Sequence, residues 1–139
     1  MIAYVDSSVL LRLALGQPGR LAEWPKIARA VSSGLAQAEC SRTLDRLRYR
    51  EALSTADLAK ALGHLKSLLG AVDLLRITDA VLRRAGEPFT RPLGTLDAIH
   101  LASALLFRDS EDLEELVFVT HDAELSAGAQ SLGFETKGA

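Results

Sequence analysis

The stretch Ile2-Ala3-Tyr4-Val5-Asp6-Ser7-Ser8-Val9-Leu10 decides the fold class. Ile2–Val5 is a short apolar run with β-branched members, and Val9–Leu15 carries a helical pattern. Asp6-Ser7-Ser8 lies between them, so the chain opens as strand, turn, helix. The same alternation continues downstream. Gly16-Gln17-Pro18-Gly19 is a turn cluster closing the first helix, and Trp24-Pro25 marks a restricted point before a short helix. Ala30–Ser33 is a second strand candidate. A long helix follows over 34–52, with Ala36, Cys40, Leu44 and Leu47 spaced as one buried stripe.

Ser54 and Asp57 stand in the S-x-x-D relation of a helix start, and that helix carries Leu58, Leu62, Leu65 and Leu69 on its buried side. Leu74–Thr78 is predicted as a strand, and Asp79 to Ala85 as a short helix. The segment Pro88 to Gly94 is loop. Thr95 is placed to cap a helix through about Phe107, with Ala98, Leu101, Ala102 and Leu105 as its apolar face. Leu116–Thr120 is the clearest strand, a helix runs from about Asp122 to Leu132, and Gly133–Thr136 adds a last strand. Strands alternating with helices predict one α/β domain over 1–139, with a central parallel sheet of about four to five strands and helices on both faces.

The 139 residues suffice to bury one core, and 48% hydrophobic with 24% charged residues excludes a disordered chain. No apolar run approaches the roughly 20 residues of a membrane span. The start at Met1 has no basic leader or cleavage site and reads as mature sequence. Cys40 is the only cysteine, which excludes an internal disulfide and a multi-cysteine zinc site and fits a reducing cytoplasm. Sixteen Lys and Arg against 18 Asp and Glu give a net charge of −2. Composition alone therefore gives no reason to propose a nucleic-acid substrate.

The case for chemistry rests on four acids. In open parallel sheets ligands bind beyond the carboxyl ends of the strands. Asp6 directly follows the first strand, and Asp122 lies two residues past Thr120. Glu39 falls in the second turn of the helix after the Val31 strand, and Asp97 in the first turn of the helix starting near Thr95. All four are expected at one rim of the sheet. Each has a plainer reading too. Asp6 and Asp122 could cap helices, and Asp97 could serve the helix dipole. Glu39 could pair on the surface with Arg42 or Thr43.

Gathered together, four carboxylates raise one another's pKa, and a divalent cation resolves the conflict. An all-oxygen donor set favours Mg²⁺, with Mn²⁺ as substitute, over zinc. Such an ion polarises a phosphoryl oxygen and activates water, which suits phosphodiester hydrolysis.

These residues resemble those of PIN-domain nucleases. Tyr4-Val5-Asp6-Ser7-Ser8-Val9-Leu10 is similar to the family's opening motif. Leu96-Asp97-Ala98-Ile99-His100-Leu101-Ala102-Ser103-Ala104 resembles its third motif. Val119-Thr120-His121-Asp122, followed by Leu125 and Gly133, is similar to its T-x-D ending. Glu39 falls where the second acid is expected. The resemblance covers nearly the whole chain, and the ordered combination is its specific part.

Length and motif set look most like the VapC-type toxins of toxin–antitoxin pairs. That resemblance implies a Mg²⁺-dependent endoribonuclease acting on RNA such as tRNA or ribosomal RNA, a homodimer, and a cognate antitoxin as partner. By the same resemblance Asp6, Glu39, Asp97 and Asp122 would be the catalytic, metal-binding acids. Ser8 and Thr120 would orient a carboxylate or a bound water.

RNA contacts would come from local patches. Arg42 and Arg46 share Glu39's side of its helix and could meet phosphates at the site's edge, although a solvated helix face explains them equally well. His100 reads as a core or supporting histidine, His121 as an exposed one. Trp24 and Tyr49 could stack on bases, with packing or dimer contacts as the plainer reading. Asp109–Glu115 reads as a solvated turn and helix start.

Two other functions compete. A phosphatase using Asp6 as nucleophile would want a second Asp, where Ser8 stands. A catalytically silent PIN-like module would bind RNA or protein without cutting.

Overall fold

A computed structural model describes residues 1–17 and 21–139. Pro18 and Gly19 of the expected turn lie outside the described residues. The elements run β1 (Ile2–Val5), α1 (Ser7–Leu15), a 3₁₀ turn (Trp24–Lys26), β2 (Arg29–Ser33), α2 (Leu35–Tyr49), α3 (Thr55–Gly70), β3 (Asp73–Leu75), α4 (Asp79–Ala85), α5 (Thr95–Ser110), β4 (Leu116–Val119), α6 (Ala123–Ser131) and β5 (Glu135–Lys137). The five strands form one sheet in the order β3-β2-β1-β4-β5, and every pairing is parallel.

Side-chain alternation divides the core between the two sheet faces. Ala3, Val5, Val117 and Val119 point to one side, where Val9, Leu10, Ala36, Cys40, Leu44, Ala61 and Leu65 bring in α1, α2 and α3. Tyr4, Val31 and Phe118 point to the other, where Leu101, Leu105, Leu125 and Ala129 bring in α5 and α6. Val81, Ile99 and Ala102 join α4 to α5. Both faces of the sheet are therefore covered, as apolar parallel strands require.

Several boundaries differ from the sequence reading, each for a local reason. Helix α1 starts at Ser7, with Asp6 alone between it and the strand. Helix α2 ends at Tyr49, because Glu51 takes a left-handed backbone (φ 56°) and the Ala52 N–H turns back to the Leu47 carbonyl. Strand β3 stops at Leu75, the partner of Ser33 at the end of β2, so residues 76–78 have no strand to pair with. Ser54 caps α3 as expected, its Oγ accepting from the Asp57 N–H at 3.1 Å. Leu62 is exposed (43%), since α3 buries Ala61 and Leu65 and packs Leu58, Leu68 and Leu69 beside them. Thr95 does not cap α5; Gly94 holds that position without a side-chain bond. Asp109–Glu115 is the end of α5 and the turn after it, not a helix start.

Candidate active site

The sheet order reverses between β1 and β4. From β1 the chain builds outward through β2 and β3, and only later adds β4 and β5 on the other side. Ligands of open parallel sheets bind at such a reversal, beyond the carboxyl ends of the strands. The register pairs Val5 with Val119, and the Asp6 N–H donates to the Val119 carbonyl at 3.0 Å. Asp6 and Thr120 therefore leave the sheet side by side.

Asp6 is buried (5% exposed) and held from three sides. Thr120 Oγ1 and Ser8 Oγ donate to its Oδ2 at 2.6 and 2.7 Å, and Ser7 Oγ donates to Oδ1 at 3.1 Å. It occupies the N-cap position of α1, yet its side chain caps nothing. The hydroxyls are themselves fixed: Ser8 Oγ accepts from the His121 N–H, and Thr120 Oγ1 accepts from the Asp122 N–H. Ser8 and Thr120 thus have the same object, one carboxylate oxygen.

Asp122 does cap α6, its Oδ1 accepting from the Leu125 N–H at 2.8 Å. The capping bond uses one oxygen and leaves the other for the rim. Asp97 stands in the first turn of α5. Its pKa is raised, by burial first and then by the charges of Asp122 and Asp6, with His100 acting in the opposite sense.

Glu39 does not pair with Arg42 or Thr43. Its Oε1 lies 2.5 Å from Nε2 of His100, whose Nδ1 lies 2.9 Å from the Tyr4 hydroxyl. A carboxylate only accepts, so Nε2 carries the proton facing Glu39. His100 and Tyr4 are fully buried. Burial lowers the His100 pKa, but the hydrogen bond to Glu39 and the charges of Asp6, Glu39 and Asp97 outweigh it, and the net shift is upward. The same burial pushes Tyr4 well above its usual range, so its hydroxyl stays neutral. The sequence supported His100 as a core or supporting residue but not this chain from Tyr4 to Glu39. Its signal was the spacing of His100 three residues after Asp97, on one helix face.

All four acids line one cavity of about 480 Å³, together with Ser7, Ser8, Cys40, Arg42, Thr43 and Arg46. The Cys40 thiol is pushed up to about 12, by burial first and then by Glu39 and Asp6, which keeps it protonated. Arg42 pairs with Asp45 at 3.0 Å, and Arg46 reaches Thr43. Among the described residues no Lys or Arg pairs with any of the four acids, and His100 is the only cation-forming group bonded to one.

Positive charge is therefore deficient in this cavity. Oxygen donors and mutual repulsion fit a hard divalent cation. Among the described residues no three His, Cys, Asp or Glu groups are already drawn together as a cage. Mg²⁺ does not need one, since it keeps several waters and takes one or two carboxylates.

The remaining candidates lie elsewhere. The His121 ring is engaged with the Gly138 carbonyl at 2.7 Å. Trp24 packs on the α1–α3 side of the core, whereas Tyr49 is 82% exposed.

The PIN domain model matches residues 3–131. Ribonuclease VapC46 of Mycobacterium tuberculosis is 36% identical over 133 residues, covering 94% of this chain and 92% of that protein. The crystal structure of PAE2754 from Pyrobaculum aerophilum superposes with a TM-score of 0.65 at 27% identity, covering 98% of this chain and 83% of that one. A toxin–antitoxin complex from Klebsiella pneumoniae shares the fold, with a TM-score of 0.64 at 17% identity over 93% of each chain. A match along most of its length, added to acids gathered where the sheet order reverses, makes this chain a PIN-domain protein of the VapC ribonuclease family.

Proposed function

We propose that the chain is a Mg²⁺-dependent endoribonuclease, the toxin of a toxin–antitoxin pair, with Mn²⁺ able to replace Mg²⁺. The observation that carries this reading is the convergence of Asp6, Glu39, Asp97 and Asp122, from four separate segments, on one cavity short of positive charge. Family membership supports the ribonuclease activity. The likeness to a chain from a toxin–antitoxin complex supports an antitoxin partner. A homodimer, a cytoplasmic setting and tRNA or ribosomal RNA as substrate belong to the same proposal. No helix among the described residues is long and apolar enough to cross a membrane.

Asp6, Asp97, Asp122 and Glu39 would hold the ion. A bound divalent ion supplies polarisation of the phosphoryl oxygen, a more acidic water, and relief of the repulsion between acids and phosphate. The rest is the chain's own contribution. Ser8 and Thr120 fix the rotamer of Asp6, so its carboxylate needs no rearrangement when a ligand arrives. His100 holds Glu39 and is itself oriented by Tyr4. Arg42 and Arg46, on the rim, face incoming phosphate. A silent binding module has no use for four acids turned toward phosphate, and that reading is not favoured.

Incubation of the purified protein with structured RNA tests the proposal. Cleavage should appear with Mg²⁺ or Mn²⁺, vanish with chelator, and fall to background in Asp6→Asn and Asp97→Asn. Thr120→Val should lower it about 10- to 100-fold through the orientation of Asp6. Full cleavage in chelator, or in both Asn variants, would overturn the assignment.

A further inference from the structure

The exposed ring of Tyr49 is unexplained by the fold. Large aromatic side chains normally contribute burial, and this one, at the last turn of α2, is 82% exposed. Its surroundings are basic. On a helix, residues at spacings of three, four and seven share a face. Glu39, Arg42, Arg46, Tyr49 and Arg50 therefore form one stripe, beginning at the acid cavity and ending at the tip of α2. The first three line the cavity itself. At 1.5 Å per residue, Tyr49 lies about 15 Å from Glu39 along the axis.

Charge along this stripe is not neutralised evenly. Asp45 takes Arg42 and Arg48 as partners, at 3.0 and 2.8 Å. Arg46 bonds only the neutral Thr43, and among the described residues Arg46 and Arg50 have no carboxylate partner. In a protein of net charge −2, two uncompensated guanidinium groups beside a free aromatic ring form a local site for a polyanion that carries flat bases.

We propose that this stripe is a single-stranded RNA track, in which Arg46 and Arg50 hold backbone phosphates and Tyr49 stacks on an unpaired base flanking the bond to be cut. It rests on the ribonuclease reading of the cavity and extends it, since it names an unpaired flanking base as part of the substrate. Stacking on an aromatic ring is tolerant of base identity, and phosphate contacts are salt-dependent. The two parts of the track are therefore separable.

Binding of a fluorescently labelled single-stranded oligoribonucleotide by the full chain in chelator, read by anisotropy, needs neither metal nor cleavage. Tyr49→Phe should bind as the wild type does. Tyr49→Leu and Tyr49→Ala should each weaken binding about tenfold without altering its dependence on salt. Arg50→Gln should reduce the slope of log K against log salt by about 0.7. Tyr49 and Arg50 are both exposed, so these variants fold. Absent wild-type binding, equal binding by Tyr49→Ala, or rescue by Leu as complete as by Phe overturns the track. A dimer split by Tyr49→Ala in light scattering, with RNA binding unchanged, assigns the ring to a protein interface and also overturns it. Tyr49-dependent binding without metal-dependent cleavage would instead retain the track and remove the nuclease reading.

Discussion

Asp97 is held at a cost. Burial, Asp122 and Asp6 all raise its pKa, so ionising it in the metal-free protein works against folding. The sign follows from linkage. A carboxyl whose folded pKa lies above its unfolded value binds more protons folded than unfolded, so stability falls as pH rises through that interval. At neutral pH the ionised group carries the full penalty, and a neutral isostere removes it. Asp97→Asn should therefore raise the melting temperature of the metal-free protein at pH 7, and the gain should shrink as pH falls toward the carboxylate range. Thermal melts of both proteins across pH 4 to 7 check this. A lower melting temperature for Asp97→Asn throughout would place Asp97 among helix-stabilising first-turn acids.

At the level of elements, the parallel register between β1 and β4 delivers Asp6 to Thr120, and β5 braces the end of β4. The Thr120 N–H donates to the Lys137 carbonyl at 3.1 Å. Gly138 follows with φ +96°, and a Cβ there would stand 2.7 Å from the Thr120 carbonyl oxygen. Gly138→Ala combines a strained backbone with a backbone clash. It should cost about 1–3 kcal/mol in urea unfolding and loosen the Thr120 end of the site. An unchanged midpoint would mean that β5 is not needed to hold Thr120.

Most elements were legible because each carried a repeated signal. Ile2–Val5 and Leu116–Val119 are apolar runs too short for helices, and the stripe Ala36, Cys40, Leu44 fixes the buried side of α2. What the sequence did not reveal depends on tertiary neighbours. Leu62 continues a leucine pattern but falls beside the packed stripe of α3. Gly94 rather than Thr95 precedes α5 because the incoming loop sets the cap. The four acids were legible singly, as residues just past strands or in first helical turns. The chain from Tyr4 through His100 to Glu39 was not, because it joins β1, α5 and α2, segments far apart in sequence.

For the molecule as a whole, a balanced net charge is compatible with an RNA substrate only if charge is arranged locally. The acids lie at the reversal of the sheet and the free arginines on the α2 stripe beside them, so a divalent ion and a polyanion could be accommodated at adjacent places. Calorimetric titration of Mn²⁺ into the wild type and Asp97→Asn tests whether the acids form a metal-dependent site. Binding should be saturable in the wild type and lost or at least tenfold weaker in the variant, alongside loss of RNA cleavage. Equal Mn²⁺ binding in both proteins, or none in the wild type under conditions where it cleaves RNA, would contradict it.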